Sequence, residues 1–239
     1  MFKPFCRLMI AIAVTLTLVL GTPAIARADK IPKAIAFDPS AKSIDVAAIY
    51  ETTTATQKML IKSLKMNKAV KAAPGFQGLT LLKSTDGSRV ISLNQWDSLA
   101  SYQAYTPPAP ESGKPVTAPT RTLVYEIETA KTTLGTMPKL RGKEAIVQFS
   151  EFSLKNATDA ATVLTEIEKL VPDAIAQQPK PQSVTVFKAS DGTDVAVLAN
   201  WNCTADFEDL GTPTGVGSPN ETVTSLVEND QRFYNVVKI

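Results

Sequence analysis

The sequence predicts an α+β protein made of two tandem βαββαβ repeats that close on one another within one chain. Three observations carry this reading. "KSTDGSRVISLNQWDSLASYQAY" from Lys83 aligns without a gap to "KASDGTDVAVLANWNCTADFEDL" from Lys188, sharing a lysine, Asp-Gly, an apolar strand and a tryptophan at an offset of 105. Upstream, "VAAIYETTTAT" and "IVQFSEFSLKNAT" correspond at an offset of 102, so the second helix region holds three extra residues, and Pro74 and Pro179 restore the offset of 105. Downstream, "TRTLVYEIETA" from Thr120 and "QRFYNVVKI" from Gln231 each end a repeat with a strand. The repeats run roughly over 40–131 and 143–239, joined by "KTTLGTMPKLRG" at 131–142.

The first element is a leader. Lys3 and Arg7 precede the apolar run "LMIAIAVTLTLVLG", which ends in Pro23 and the small-residue site Ala26-Arg27-Ala28. This pattern is a secretory signal peptide over 1–28, of the general secretion type because no twin arginine is present. The apolar run falls short of the roughly 20 residues of a membrane span, so the expectation is an exported protein, periplasmic or secreted, with no membrane anchor after cleavage. Cleavage after Ala28 leaves 211 of 239 residues and removes three of the 25 basic residues, giving 22 against 23 acidic and a net charge of −1. No basic patch remains to neutralise phosphates, which excludes nucleic acid as the expected partner. Cys6 departs with the leader and leaves Cys203 alone, so no intramolecular disulfide is expected.

Within the first repeat, Ile44, Val46, Ala48 and Tyr50 alternate as a strand. A helix follows from about Ala55 to Lys71, with Leu60, Ile61 and Leu64 inward and Lys58, Lys62, Lys65 and Lys68 outward, and Pro74-Gly75 ends it. "LTLLK" and "RVISLNQ" form a hairpin about Asp86-Gly87, a dipeptide suited to positive φ. A short helix, Ser98 to Tyr105, precedes the closing strand, and the five prolines of 106–119 mark a loop outside the packed body. The second repeat keeps this order, its helix presenting Ala160, Val163, Ile167, Leu170 and Ala174 at helical spacing. The order is the split βαβ, ferredoxin-like arrangement. Such a sheet carries helices on one face and leaves the other apolar. The duplication supplies its cover by setting two sheets face to face, which predicts a monomer with its partner surface built in.

The stretch "APGFQGLTLLKSTDGSRVISLNQWDS" resembles the core signature of the antibiotic biosynthesis monooxygenase domain, a dimeric α+β barrel family: Pro-Gly-Phe after the first helix, an Asp-Gly hairpin, then Gln-Trp-Asp-Ser. The second repeat keeps Pro179, Asp191-Gly192 and Trp201 but has Lys180 and Pro181 where the first has Gly75 and Phe76, so it is the degenerate partner. The resemblance implies two tandem units forming an intramolecular dimeric α+β barrel. It also implies a choice among cofactor-free oxygenases, haem-degrading enzymes and proteins without established chemistry.

The chain contains no histidine. That speaks against haem held by an axial histidine, against Ser-His-Asp hydrolysis and against histidine-ligated zinc or iron, and no glycine-rich phosphate loop or tight acidic cluster suggests another cofactor or metal. The expectation is therefore no cofactor. Strand alternation puts Ser92, Asn94 and Trp96 on one face and Ile91, Leu93 and Gln95 on the other. Cofactor-independent members of the resembled family line their pocket with an Asn, a Trp and a Tyr of similar spacing and assist deprotonation of a phenol, whose anion reacts with oxygen. Trp96 and Tyr102 match that pattern, whereas the residue four before the tryptophan is Ser92 and Asn94 lies two before it.

The catalytic candidates are thus Trp96, Tyr102, Ser92 and Asn94, and the candidates for contact with a small aromatic molecule are Arg89, Trp201 and Phe207. Tyr102 suits donation to a developing oxyanion, and Trp96 offers an aromatic face and an N–H. Arg89 at the strand start either lowers a phenol's pKa or is a solvated hairpin residue. Each candidate also has a plain structural reading: a tryptophan ending a sheet strand plugs a core, Ser92 and Asn94 pair with each other, and Phe207 carries no hydroxyl. Two functions follow, an exported cofactor-independent monooxygenase acting on a small phenolic or quinol-like compound, and a non-catalytic binder of a small hydrophobic ligand, or structural protein, on the same fold.

Overall fold

A computed structural model describes residues 35–65, 68–107, 117–133, 135–140, 145–176, 180–201 and 219–237. The first repeat runs β2 (Ile44–Glu51), α1 (Thr54–Lys65), α2 (Lys68–Ala72), β3 (Phe76–Ser84), β4 (Arg89–Trp96), α3 (Leu99–Ala104) and β5 (Arg121–Thr132). The second runs β7 (Ile146–Leu154), a 3-10 turn (Ala157–Asp159), α4 (Ala160–Ala176), β8 (Ser183–Ala189), β9 (Asp194–Trp201), α5 (Glu221–Leu226) and β10 (Val227–Val237). Two two-residue strands, β1 (Ile35–Ala36) and β6 (Lys139–Leu140), complete the described elements.

Asp-Gly turns build both hairpins as the sequence predicts. Gly87 and Gly192 take φ of 79° and 72°, and Asp86 and Asp191 each accept hydrogen bonds from the backbone N–H and hydroxyl two residues on. Of the helices, α3 and α4 form where expected, the segment expected as one helix from Ala55 to Lys71 forms α1 and α2, and the part of the second repeat equivalent to α3 lies outside the described residues. Ser98 caps α3 by accepting from the Ser101 N–H, and α4 buries Val163, Ile167, Val171 and Ala174, so Val171 rather than Leu170 is the innermost residue of its third turn.

The sheets differ from two layers stacked face to face. All eight long strands join edge to edge in one closed antiparallel barrel of order β10-β3-β4-β2-β5-β8-β9-β7. Each repeat contributes four consecutive strands, and the last strand of each pairs with the second of the other, β5 with β8 and β10 with β3. Closure leaves no exposed edge along the barrel, the stretch of backbone through which open sheets aggregate. Odd-numbered residues of β2 and β4 face the barrel interior, where Ala47, Ile49, Ile91 and Leu93 meet Val147, Phe149, Phe187 and Tyr234. Their even-numbered neighbours face the helices.

The joining segment holds more order than a linker. β6 pairs with β1, and Ile35, Phe37 and Leu140 are buried in the barrel core, with Phe37 edge-on to Phe187 at 5.5 Å. The register relates the two halves residue by residue. Ile44 faces Trp96 as Ile146 faces Trp201, and Ala47 faces Leu123 as Phe149 faces Arg232. On this correspondence Arg89 is equivalent to Asp194 and Arg121 to Asp230. The two equivalent cross-repeat ion pairs therefore have opposite polarity, Arg89 with Asp230 at 2.8 Å and Arg121 with Asp194. Two copies of the first repeat would set arginine against arginine, and two copies of the second aspartate against aspartate. Only unlike halves neutralise both positions.

Candidate functional site

The helix-covered faces of the two repeats differ. In the first, a cavity of about 210 Å³ lies between the sheet and α1–α2, with α3 and Pro107 at its side. Its floor comes from even-numbered strand residues, Val46, Ala48, Ser92 and Asn94, and its aromatic wall from Trp96, Tyr102 and Tyr105. In the second, the equivalent positions of Ser92 and Asn94 are Val197 and Ala199, and Phe152 stands in place of Tyr50. With Ile167 and Leu170 they leave a void of about 10 Å³, at the lower limit for one water molecule. Among the described residues, one half keeps a cavity with polar groups on its floor and the other packs hydrocarbon at the same floor positions.

Of the residues singled out from sequence, the structure brings Ser92, Asn94, Trp96 and Tyr102 to this cavity. The Asn94 amide donates to Ser92 Oγ at 3.2 Å, so the pair is joined and leaves the amide oxygen for a ligand. Trp96 is 1% exposed and packs edge-on to Phe76 at 5.5 Å and tilted against Tyr102 at 5.8 Å and Tyr105 at 5.4 Å. Its indole Nε1 and the Tyr105 hydroxyl have no hydrogen-bond partner among the described residues. Among the described residues, no charged side chain lines the cavity.

The structure takes three residues elsewhere. Arg89 is neither at the cavity nor a solvated hairpin residue. It shares the face of Ile91 and Leu93, so its guanidinium enters the end of the barrel and binds Glu51 at 2.8 Å, Glu151 at 3.1 Å and Asp230 at 2.8 Å. Trp201 is buried in the core of the second repeat, 6.5 Å from the Phe233 ring, with Val163 and Val197 in the same cluster. Phe207 lies outside the described residues, as does Cys203. Tyr105 was not singled out from sequence. Its signal is its spacing, three residues after Tyr102, which sets both rings on one side of a short helix.

Gly75 positions the aromatic wall. Its φ of 79° turns the chain after α2, and its carbonyl accepts from the Asp97 N–H at 2.9 Å. A Cβ there would lie 2.5 Å from Ser101 Oγ and 2.6 Å from Asp97 Oδ1, and would also strike Ser101 Cβ. Gly75→Ala is expected to lower stability by about 1–3 kcal/mol in urea denaturation, through strain at positive φ and displacement of α3. Unchanged stability would mean that α3 is free to move away.

The comparisons with known proteins bear on the fold. No family model matches the chain, and no curated protein matches it. Among solved structures, that of an anthrone oxidase-like protein is 20% identical over 86% of this chain and 94% of its own, with a TM-score of 0.65. A putative monooxygenase from Fusobacterium nucleatum subsp. nucleatum is 9% identical over 83% of this chain and 94% of its own, with a TM-score of 0.53. These likenesses span almost the whole of both relatives. They establish that this chain shares the α+β barrel fold of these structures, built here from two ferredoxin-like repeats in one polypeptide. Among the described residues, no helix is long and apolar enough to cross a membrane, and no group of three metal-ligating side chains is found.

Proposed function

We propose that the protein is exported by its leader and uses the cavity of the first repeat to bind a small phenolic or quinol-like compound for oxidation by molecular oxygen without a cofactor. The observation that carries this reading is the asymmetry of the described residues: the half that matches the oxygenase signature keeps an open cavity with Ser92, Asn94, Trp96 and Tyr102 on its walls, while the degenerate half packs hydrocarbon at the equivalent floor positions. The chemistry asked of the protein is modest. An ionised phenol is electron-rich enough to pass electrons to oxygen, and a substrate SH2 consumes O2 to give S=O and H2O, one oxygen atom entering the ring and the other leaving as water. The side chains hold the ring, orient it and stabilise charge on its oxygen, effects that rest on placed hydrogen-bond donors rather than on a strong base.

A second reading is favoured by one observation: among the described residues, the cavity wall carries no charged side chain. With no general base among them, the same walls suit a carrier that binds the ring and leaves it unchanged.

Two measurements on the chain from Asp29 separate these readings. In Trp201→Phe, Trp96 is the sole tryptophan, and its fluorescence is expected to be quenched saturably by phenols or quinols at micromolar concentration. Oxygen uptake with the same compounds in the otherwise native chain, reduced at least about tenfold in Tyr102→Phe, supports the oxygenase; quenching with no uptake supports the carrier. Absence of both in a folded protein refutes the cavity as a ligand site.

A further inference from the structure

Resting on the reading of this cavity as a phenol site, we propose that the Tyr105 hydroxyl and the Trp96 indole N–H form a two-donor site that holds the ligand oxygen as phenolate, in a phenol of one or two rings. Both residues line the cavity, both polar atoms are buried, and neither has a partner among the described residues. Buried polar groups are almost always paired, so two orphans on lining residues whose ring centroids are 5.4 Å apart point to a missing acceptor. An indole N–H only donates, which requires the missing group to be an acceptor. An anionic oxygen gains most there, because charge-assisted hydrogen bonds are about twice as strong as neutral ones. Tyr105 does not compete for the negative charge. Burial raises its pKa, so it keeps its proton and donates.

The surroundings favour the anion as well. Leu64 and Val70, on the opposite wall, belong to α1 and α2, whose described side chains include Lys58, Lys62, Lys65 and Lys71 and no carboxylate. The equivalent helix of the second repeat, α4, carries Glu166, Glu168 and Asp173 against Lys169 alone. A cationic cover over the cavity attracts and stabilises an anion without pairing to it directly.

Size and charge narrow the ligand further. At the packing density of protein interiors, about 0.75, the cavity encloses about 160 Å³ of ligand atoms, roughly the bulk of a tryptophan residue. That accommodates one or two aromatic rings and falls below the 300 Å³ or so at which pockets for larger ligands begin. A second anionic substituent would meet no cation among the described residues of the wall, which favours a ring that is otherwise neutral.

The probe is 4-nitrophenol, whose ionised form absorbs visible light, with 4-nitroanisole as an analogue that cannot ionise. With the chain from Asp29 in excess, the absorbance titration is expected to place the bound phenol's pKa about one unit or more below its free value, a roughly tenfold gain in the ratio of ionised to neutral phenol. Tyr105→Phe should abolish most of that shift while binding 4-nitroanisole within about twofold of the native affinity. A bound pKa at or above the free value, or a shift that Tyr105→Phe leaves intact, overturns the proposal. Oxygen uptake that persists undiminished in Tyr105→Phe overturns the donor role and spares the oxygenase reading; phenolate binding without uptake of oxygen by any phenol does the reverse. Failure of the folded protein to bind either compound overturns both.

Discussion

Replacing Arg89 with alanine is expected to destabilise the protein by about 3–5 kcal/mol, the cost of leaving buried charge without its partner. The guanidinium lies at the end of the barrel with Glu51, Glu151 and Asp230 around it, and the Glu151 side chain is 4% exposed. Burial raises the Glu151 pKa, and Arg89 and then Arg121 hold it down. Arg121 Nη1 is 3.6 Å from Glu151, farther than Arg89, so it compensates poorly for the loss. Removing Arg89 also strips Asp230, on the last strand, of its cross-repeat partner. Urea denaturation at neutral pH measures the loss. Adding Glu151→Gln to the Arg89 variant should restore part of it by removing the stranded charge, and additive losses would contradict this account.

Asp45→Asn is expected to act in the opposite direction, stabilising the protein at neutral and alkaline pH. Asp45 is fully buried on β2, with one carboxyl oxygen 3.3 Å from the Gln95 amide and the other without a partner among the described residues. Burial pushes its pKa up to about 8, against a small opposing effect from Gln95. In the unfolded chain the group ionises near 3.9, so between about pH 4 and pH 8 the folded state holds a proton that the unfolded state has released. Stability from this group is therefore full at acid pH and declines across that window. Four pKa units correspond to about 5 kcal/mol. Asparagine accepts the same Gln95 hydrogen bond and has no proton to lose. The difference in stability between native and variant proteins, measured in urea at pH 5 and at pH 8.5, should widen by several kcal/mol at the higher pH. A constant difference would show that Asp45 ionises normally within the fold.

From sequence, Arg89 is assigned to ligand contact or to a solvated hairpin and Asp45 is passed over, and the reason is physical. Alternation along β4 assigns Ser92, Asn94 and Trp96 to one face, and the same alternation puts Arg89 with Ile91 and Leu93 on the other. What the sequence leaves open is what each face meets, because Arg89 acquires its partners from β7 and β10, 62 and 141 positions further along the chain. The repeat, both Asp-Gly turns, α3 and α4 were legible because they rest on local chemistry, whereas the edge-to-edge joining of the two halves depends on pairing between strands far apart in the chain. The ribbon of β1 and β6 was not, since strands of two residues carry no periodicity and are held only by the barrel core against which Phe37 and Leu140 pack. The cavity was half legible. Its sheet wall followed from alternation, whereas its volume depends on Val197 and Ala199 filling one repeat while Ser92 and Asn94 leave the other open.

The central claim is that Trp96, and not Trp201, faces a ligand site. The most direct test is the pair of indole N–H signals in a nitrogen-15 proton correlation spectrum of the chain from Asp29, assigned with Trp201→Phe and titrated with a one-ring phenol. The Trp96 signal is expected to shift saturably as its unpaired Nε1–H finds an acceptor, while the Trp201 signal stays in place. Movement of neither signal, or of Trp201 alone, would contradict the account.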